Sequence, residues 1–324
     1  MKHILILHTG GTISMSTDQS TGVVKPSSEH PLNEYKYVFD QEVRLTEEDI
    51  LQLPSPHMTP ADMLIVKNRI LEAIRANDND GVVITHGTDT LEETAYFLDL
   101  TVPFSIPIVM TGAMRPTNEI GSDGVRNLQN AVWTAMSDDA ADKGVLVVMN
   151  EEIHAARYVT KTHTTNVATF RTPTFGPIGI VSKKEVMFFQ KLIKKECFPI
   201  NSVNKVVPLL KAYAGMDGFL IESLVESSID GLVIEALGAG NMPPATLKGL
   251  HALIEKGVPI VLTSRAFNGI AQDIYDYEGG GKQLKNAGVI FAPGLSGPKA
   301  RLKLLVVLEQ STDLDYITEV FEKV

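Results

Sequence analysis

Two threonines stand where a reaction could take place. The first lies in Thr9-Gly10-Gly11-Thr12-Ile13, directly after an apolar run at residues 4–7; the second lies in His86-Gly87-Thr88-Asp89-Thr90, directly after the run at 82–85. In open α/β sheets, ligands bind beyond the carboxyl ends of strands, and glycines there let backbone N–H groups approach a ligand closely. A threonine at the end of such a turn carries its hydroxyl where a nucleophile would act. Taken alone, the first turn reads foremost as an ordinary strand end, with Thr12 a helix cap or phosphate contact. The second repeats the order of strand, glycine and hydroxyl and adds a carboxylate. Thr90 and Glu93 have capping-box spacing, so Thr90 is assigned to a helix start, leaving Thr88 and Asp89 in the turn. His86 reads as a buried, hydrogen-bonded histidine rather than a base.

The third candidate is Tyr158-Val159-Thr160-Lys161-Thr162. A lysine among hydroxyl residues is either a solvated surface lysine or a desolvated amine that gives up its proton more readily. In the second case Thr88, Lys161 and Asp89 form a hydroxyl–amine–carboxylate chain, with the acid orienting the lysine. HExxH, GxxxxGK[ST] and GxSxG are absent, and Gly238-Ala239-Gly240 lacks the third glycine of a dinucleotide fingerprint. His154 and His163 have no partner at metal-ligand spacing. The expectation is chemistry without a metal or a nicotinamide cofactor.

The elements that must hold these residues are short β-branched runs alternating with helical periodicity. Strands are expected at 4–7, 82–85, 107–111, 145–149, 206–210, 232–235, 259–263 and 289–292, hydrophobic enough to be covered on both faces of a parallel sheet. Helical stripes run through Leu91, Ala95 and Leu98, through Leu247, Leu250 and Ile254, and through Ile317, Val320, Phe321 and Val324. This alternation predicts an α/β fold. With 324 residues, about two domains are expected: an N-terminal α/β domain over 1–185, a linker over 186–205 and a C-terminal α/β domain over 206–324. The Lys-rich stretch at 182–205 reads equally as a connection or as a surface helix or hairpin. Residues 14–34, rich in Ser, Thr, Gly and Pro, read as a functional loop or lid.

Charge narrows the partners. Lys and Arg total 29 against 39 Asp and Glu, a net charge of −10 with no basic tract, which argues against duplex nucleic acid and anionic membrane surfaces. The single cysteine, Cys197, forms no intrachain disulfide and excludes the Cys-rich zinc frameworks. No apolar run approaches the roughly 18 residues of a membrane span, and the first run is too short for a signal peptide. The expectation is a cytoplasmic protein whose mature form starts at residue 1.

Beyond the two threonine turns, the chain carries Met110-Thr111-Gly112-Ala113-Met114-Arg115-Pro116 and Ser122-Asp123-Gly124. It also carries Lys161-Thr162 with Val167-Ala168-Thr169-Phe170, then Gly238-Ala239-Gly240-Asn241 and Lys299-Ala300-Arg301. In this order, over nearly the whole chain, the set resembles the bacterial-type L-asparaginase (asparaginase/glutaminase) family. The resemblance implies a larger N-terminal α/β domain and a smaller C-terminal one, and hydrolysis of the L-asparagine side-chain amide to L-aspartate and ammonia, without metal or organic cofactor. It matches Thr12 to the primary nucleophile, which forms an acyl-enzyme, and Thr88, Asp89 and Lys161 to a second triad that polarises the nucleophile or the attacking water. Ser55 matches a serine that binds the α-carboxylate, Asp89 also the acid that holds the α-ammonium, and Ala113 a backbone carbonyl facing the leaving nitrogen. Gly11 and Gly87 fall in the same substrate-binding turns. The resemblance further implies homodimers that often pair into homotetramers, with active sites between the N-terminal domain of one subunit and the C-terminal domain of its neighbour.

The chain departs from the family in two respects. Members commonly carry a tyrosine on the loop after the first motif, whereas residues 13–34 contain none and the nearest are Tyr35 and Tyr37. In the C-terminal domain, Tyr275 stands where some members place a glutamate that reaches the neighbour's site. The expectation is that Tyr275 crosses the dimer and substitutes for the loop tyrosine; a packing tyrosine is the other reading. Asn241 matches a position that approaches the partner's substrate in some relatives. The alternatives weighed beside an asparaginase are a mixed glutaminase-asparaginase, the amidotransferase subunit acting on charged tRNA, and a non-catalytic amino-acid sensor. A sensor would be expected to have lost the nucleophile or the lysine.

Overall fold

The computed structural model describes residues 1–18, 21, 24–26, 43–103, 105–193 and 195–322. Contacts divide the chain into two compact units, Met1–Cys197 and Phe198–Val324.

The first unit holds strands β1 (Lys2–His8), β2 (Met15–Thr17), β3 (Val24–Pro26), β4 (Val43–Asp49), β5 (Gly81–Thr85), β6 (Ile108–Thr111), β7 (Val145–Met149), β8 (Glu152–Ala155), β9 (Thr160–Lys161), β10 (Phe170–Arg171), β11 (Gly179–Ser182) and β12 (Glu185–Phe188). Its helices are α1 (Pro60–Ala76), α2 (Leu91–Thr101) and α3 (Gly124–Met136). Eight strands form one sheet in the order β12-β11-β8-β7-β6-β5-β1-β4. From β4 through β7 the pairings are parallel; β8, β11 and β12 are antiparallel.

Every residue of β5, β6 and β7 is buried, as a parallel sheet covered on both faces requires. Helix α3 lays Leu128, Ala131, Val132 and Ala135 on the face carrying Ile4, Ile6, Val83, Val109, Leu146 and Val148. Helix α2 also packs against β6 and β7, with buried side chains outside that cluster, and so covers the opposite face. Between β7 and β8 the chain reverses through Asn150 and Glu151, both at positive φ (50° and 68°), the geometry of a two-residue type I′ hairpin. The Lys-rich stretch opens as the β11–β12 hairpin, with Lys183 at its tip (φ 49°). Within residues 14–34, β2 and β3 pair antiparallel; most of the expected lid, together with Tyr35 and Tyr37, lies outside the described residues.

The second unit holds β13 (Leu209–Lys211), β14 (Leu232–Ala236), β15 (Ile260–Ser264) and β16 (Ile290–Phe291), with α4 (Phe219–Val225), α5 (Leu247–Glu255), α6 (Gly281–Asn286), α7 (Gly297–Gln310) and α8 (Leu314–Glu322). Its four strands form a parallel sheet in sequence order. The strand expected at 206–210 begins three residues later. Pro208 has no N–H to give a ladder, and its carbonyl alone bonds the sheet, accepting from Val233 N at 3.0 Å. Val324, expected in the terminal stripe, lies outside the described residues. Helix α7 is buried along most of its length, Lys299 and Lys303 included. Lys303 is accommodated by donating Nζ to the Val320 carbonyl (2.9 Å) while its ammonium lies 4.8 Å from the centroid of the Phe321 ring. Among the described residues no helix is long and apolar enough to cross a membrane.

Candidate active site

Parallel β1, β5 and β6 all deliver their carboxyl ends to the same edge of the sheet, and the three turns that follow touch one another. After β1, Gly10 and Gly11 adopt φ of 106° and 87°, a region L side chains rarely enter. A Cβ on Gly10 would lie 2.6 Å from the Leu53 carbonyl oxygen, and one on Gly11 would lie 2.2 Å from Gly87 Cα. Glycine here is therefore dictated by backbone approach, and the Gly11–Gly87 contact brings the two threonine turns together. Thr12 opens a single 3-10 turn, Thr12–Ser14. It is half-buried, and its hydroxyl has no hydrogen-bond partner among the described residues.

Ser55 comes from the stretch before α1. That helix starts with a capping box: Asp62 N donates to Thr59 Oγ1 and Thr59 N to Asp62 Oδ2, with Pro60 in the first turn. The fixed helix start sets the preceding turn, Ser55–His57, against Gly87, where an added Cβ would meet Ser55 Oγ at 2.6 Å. Ser55 is buried; its Oγ accepts from Asp89 N (3.2 Å) and its carbonyl from Thr90 Oγ1 (2.8 Å). The capping box expected at Thr90 and Glu93 is thereby corrected. Thr90 occupies the N-cap position of α2 without a side-chain cap, because its hydroxyl is turned to the Ser55 carbonyl.

Thr88 is buried, and Lys161 reaches it from β9. Lys161 Nζ donates to Thr88 Oγ1 (2.9 Å) and to Asp89 Oδ1 (2.6 Å), and Lys161 N donates to Glu92 Oε2 (2.6 Å). The Asp89 carboxylate is 58% exposed, so the ion pair contributes at most about 1 kcal/mol to stability; its value lies in fixing the amine. Under this turn His86 is fully buried, its Nδ1 2.7 Å from the Gly87 carbonyl and its Nε2 3.0 Å from Thr94 Oγ1. Burial pushes its pKa down to about 4, which leaves a neutral imidazole used as packing. The third turn, after β6, carries Ala113, which is buried. Gly112 lies against it and Thr88: an added Cβ would sit 2.5 Å from the His86 carbonyl and 3.4 Å from Thr88 Cγ2. Asp123 accepts from Met114 N and Arg115 N, and Asn127 Nδ2 donates to Gly112 O and Asp123.

Gly11, Thr12, Ser55, Gly87, Thr88, Asp89 and Ala113 thus belong to one contiguous group of turns, which Lys161 reaches from β9. Beside it opens a cavity of about 380 Å³ lined by Asp89, Glu92, Lys161, Thr162, His163 and Thr164. Sequence reasoning passed over Glu92, Asp123 and Asn127 as supports; the spacing of Asp89 and Glu92, three apart across a helix start, was the signal for the first. Asn241 and Tyr275 lie in the second unit, on the loops after β14 and β15. Asn241 Oδ1 accepts from Gly281 N (3.2 Å), and Tyr275 is exposed with its ring centroid 5.7 Å from that of Tyr277. Gln272 N donates to Ala239 O and Met242 N to Gly279 O, so the two loops form one surface. Among the described residues no group of three or more His, Cys, Asp or Glu could hold a metal ion.

Residues 3–194 match the family model described as Asparaginase, N-terminal, and residues 206–321 match the Glutaminase/Asparaginase C-terminal domain. The chain belongs to the asparaginase family. It is 36% identical to L-asparaginase of Bacillus licheniformis, over 95% of each chain. It is 30% identical to the glutaminase-asparaginase of Pseudomonas fluorescens biotype A, over 99% of this chain and 90% of that one. The crystal structure of a probable cytoplasmic L-asparaginase from Campylobacter jejuni superposes with a TM-score of 0.89 at 33% identity, covering 100% of both chains. The family's mostly parallel sheet and smaller second α/β unit are both present here.

Proposed function

We propose that this chain hydrolyses the side-chain amide of L-asparagine to L-aspartate and ammonia through a threonine-bound acyl intermediate. The observation that carries the reading is the pair of hydrogen bonds that Lys161 Nζ donates to Thr88 Oγ1 and Asp89 Oδ1 beside the Gly11–Gly87 contact. Thr12 Oγ1 attacks the carboxamide carbon, its proton passes to Thr88 Oγ1 as the Thr88 hydroxyl gives its own proton to the leaving nitrogen, with the Lys161 ammonium holding Thr88 Oγ1, and ammonia departs as the ester forms. Water, polarised by the same pair, then attacks the ester, releasing aspartate and restoring the hydroxyl. The zwitterionic substrate needs an anion at its ammonium, supplied by Asp89, and polar groups at its α-carboxylate, supplied by Ser55 and the Gly11 and Gly87 backbone. The Ala113 carbonyl receives the amide N–H. Donors aimed at the tetrahedral oxyanion are worth about 3–4 kcal/mol each in acyl transfer. Purified protein is expected to release ammonia from L-asparagine, and Thr12→Ala to lose about a thousandfold or more in kcat with an unchanged melting temperature. Full activity in that variant would refute the nucleophile.

A mixed glutaminase-asparaginase is the second reading, favoured by the similarity to the Pseudomonas enzyme. One methylene in a pocket discriminates by only about 1–3 kcal/mol, so kcat/KM for both amides decides. A homodimer or homotetramer, located in the cytoplasm and working without cofactor, belongs to the same proposal. In it, Asn241 and Tyr275 serve the neighbouring subunit's site. The exposure of Phe267, Ile274, Tyr275 and Tyr277 on the loop after β15 supports a partner there. Sedimentation should give a dimer or larger species, and Tyr275→Phe should lower kcat or raise KM; neither parameter moving would remove Tyr275 from the site.

A further inference from the structure

The strand that carries Lys161 is poorly anchored by its own ladder. β9 and β10 have two residues each and form a sheet of their own, separate from the eight strands that position Thr88. Thr162 N donates to Thr169 O, so by the alternation of an antiparallel ladder the Lys161 N–H points away from β10. It points to Glu92 Oε2, 2.6 Å away. Glu92 lies in the first turn of α2, where a carboxylate is favoured by the helix dipole, and that turn continues directly from Thr88 and Asp89. Lys161 is therefore held at both ends by one stretch of five residues: Nζ by Thr88 and Asp89, backbone N by Glu92.

We infer that Glu92 is a positioning residue for the reaction, its carboxylate setting the place of Lys161 Nζ relative to Thr88 through the Lys161 backbone N–H. The inference rests on the amidohydrolase reading and adds to it the group that locates the lysine. Glu92 lines the cavity beside the site, yet its bonded oxygen faces the strand, so its effect falls on the rate more than on substrate affinity. The bond needs an acceptor oxygen, not a charge, so glutamine at this position keeps it and alanine removes it.

The test measures ammonia release and amide hydrogen exchange together in the full-length wild type, Glu92→Ala and Glu92→Gln. Glu92→Ala is expected to lower kcat about tenfold or more with KM within about threefold, since small misplacements of a reacting group are costly. The Lys161 amide should exchange slowly in the wild type, quickly in Glu92→Ala, and slowly again in Glu92→Gln, whose kcat returns to near the wild-type value. Wild-type turnover in Glu92→Ala would overturn the inference, as would rapid exchange of the Lys161 amide in the wild type. If Glu92→Ala does not fold, Glu92→Gln decides alone: slow exchange with near-wild-type kcat supports the inference, and a kcat loss beyond about tenfold with the amide still protected overturns it. A wild-type chain that released no ammonia would strike the amidohydrolase reading, whereas active wild type with an equally active Glu92→Ala strikes Glu92 only.

Discussion

At the end of β1 the chain turns through two positive-φ glycines and leaves Thr12 half-buried, its hydroxyl unbonded among the described residues. At the end of β5 it turns through His86 and Gly87 and buries Thr88 under the Lys161 ammonium. The order of strand, glycine and threonine is the same in both; the surroundings are not. The first turn owes its shape to backbone meeting backbone, with no charged group in the turn itself. The second is surrounded by Asp89, Lys161 and Glu92. Two copies of one local plan thus acquire different surroundings because different elements pack against them; in the proposed reaction the first hydroxyl attacks and the second passes a proton.

The largest expected effect separates the two glycines. Gly11→Ala places a methyl 2.2 Å from Gly87 Cα at a φ of 87°, combining overpacking with backbone strain for roughly 2–6 kcal/mol. Gly87→Ala meets Ser55 Cβ and Oγ at 2.6 Å without a positive φ, so thermal melts should rank Gly11→Ala as clearly the more damaging. Equal losses would mean that the first turn is no more constrained than the second.

Next comes pH. His86 titrates at about 4 when folded, against 6.5 for an ordinary histidine. Between these values the unfolded chain binds the proton and the folded chain does not, so stability rises with pH across the window. It is complete above about 6.5 and falls, by on the order of 3 kcal/mol, as pH drops to about 4. Melting curves across this window should be steeper for the wild type than for His86→Gln; parallel curves would show that the imidazole is not held neutral.

A smaller effect is expected for Thr88→Val. It keeps the shape of the buried residue and removes the oxygen that Lys161 bonds, so kcat should fall about a hundredfold, or about 2.7 kcal/mol. A loss as large as that of Thr12→Ala would erase the distinction between an attacking and an assisting threonine.

How much of this was legible in the sequence depends on how many neighbours each element has. β5, β6 and β7 are buried at every residue, and their apolar runs announce them. β4, with the sequence VRLTEED, is an edge strand with half-buried and exposed positions; its four acidic and basic side chains hide it from any reading based on hydrophobicity. β9 and β10 are too short to leave a period. The amphipathic α5 was readable, whereas α7, buried with its lysines, was not, since two of its interior residues carry charges that only tertiary contacts accommodate. At the site, the hydroxyl neighbours of Lys161 mark it in the sequence, whereas Glu92 is masked by Glu93, which has capping-box spacing from Thr90 although the Thr90 hydroxyl goes to the Ser55 carbonyl.

In the proposed reaction both threonine hydroxyls address one carboxamide carbon, and a crystal structure with L-aspartate bound tests this arrangement. The ligand's side-chain carboxylate is expected between Thr12 Oγ1 and Thr88 Oγ1, with its α-ammonium at Asp89 and its α-carboxylate at Ser55. Aspartate bound away from both turns, or touching Thr88 with the Thr12 hydroxyl facing elsewhere, would contradict it.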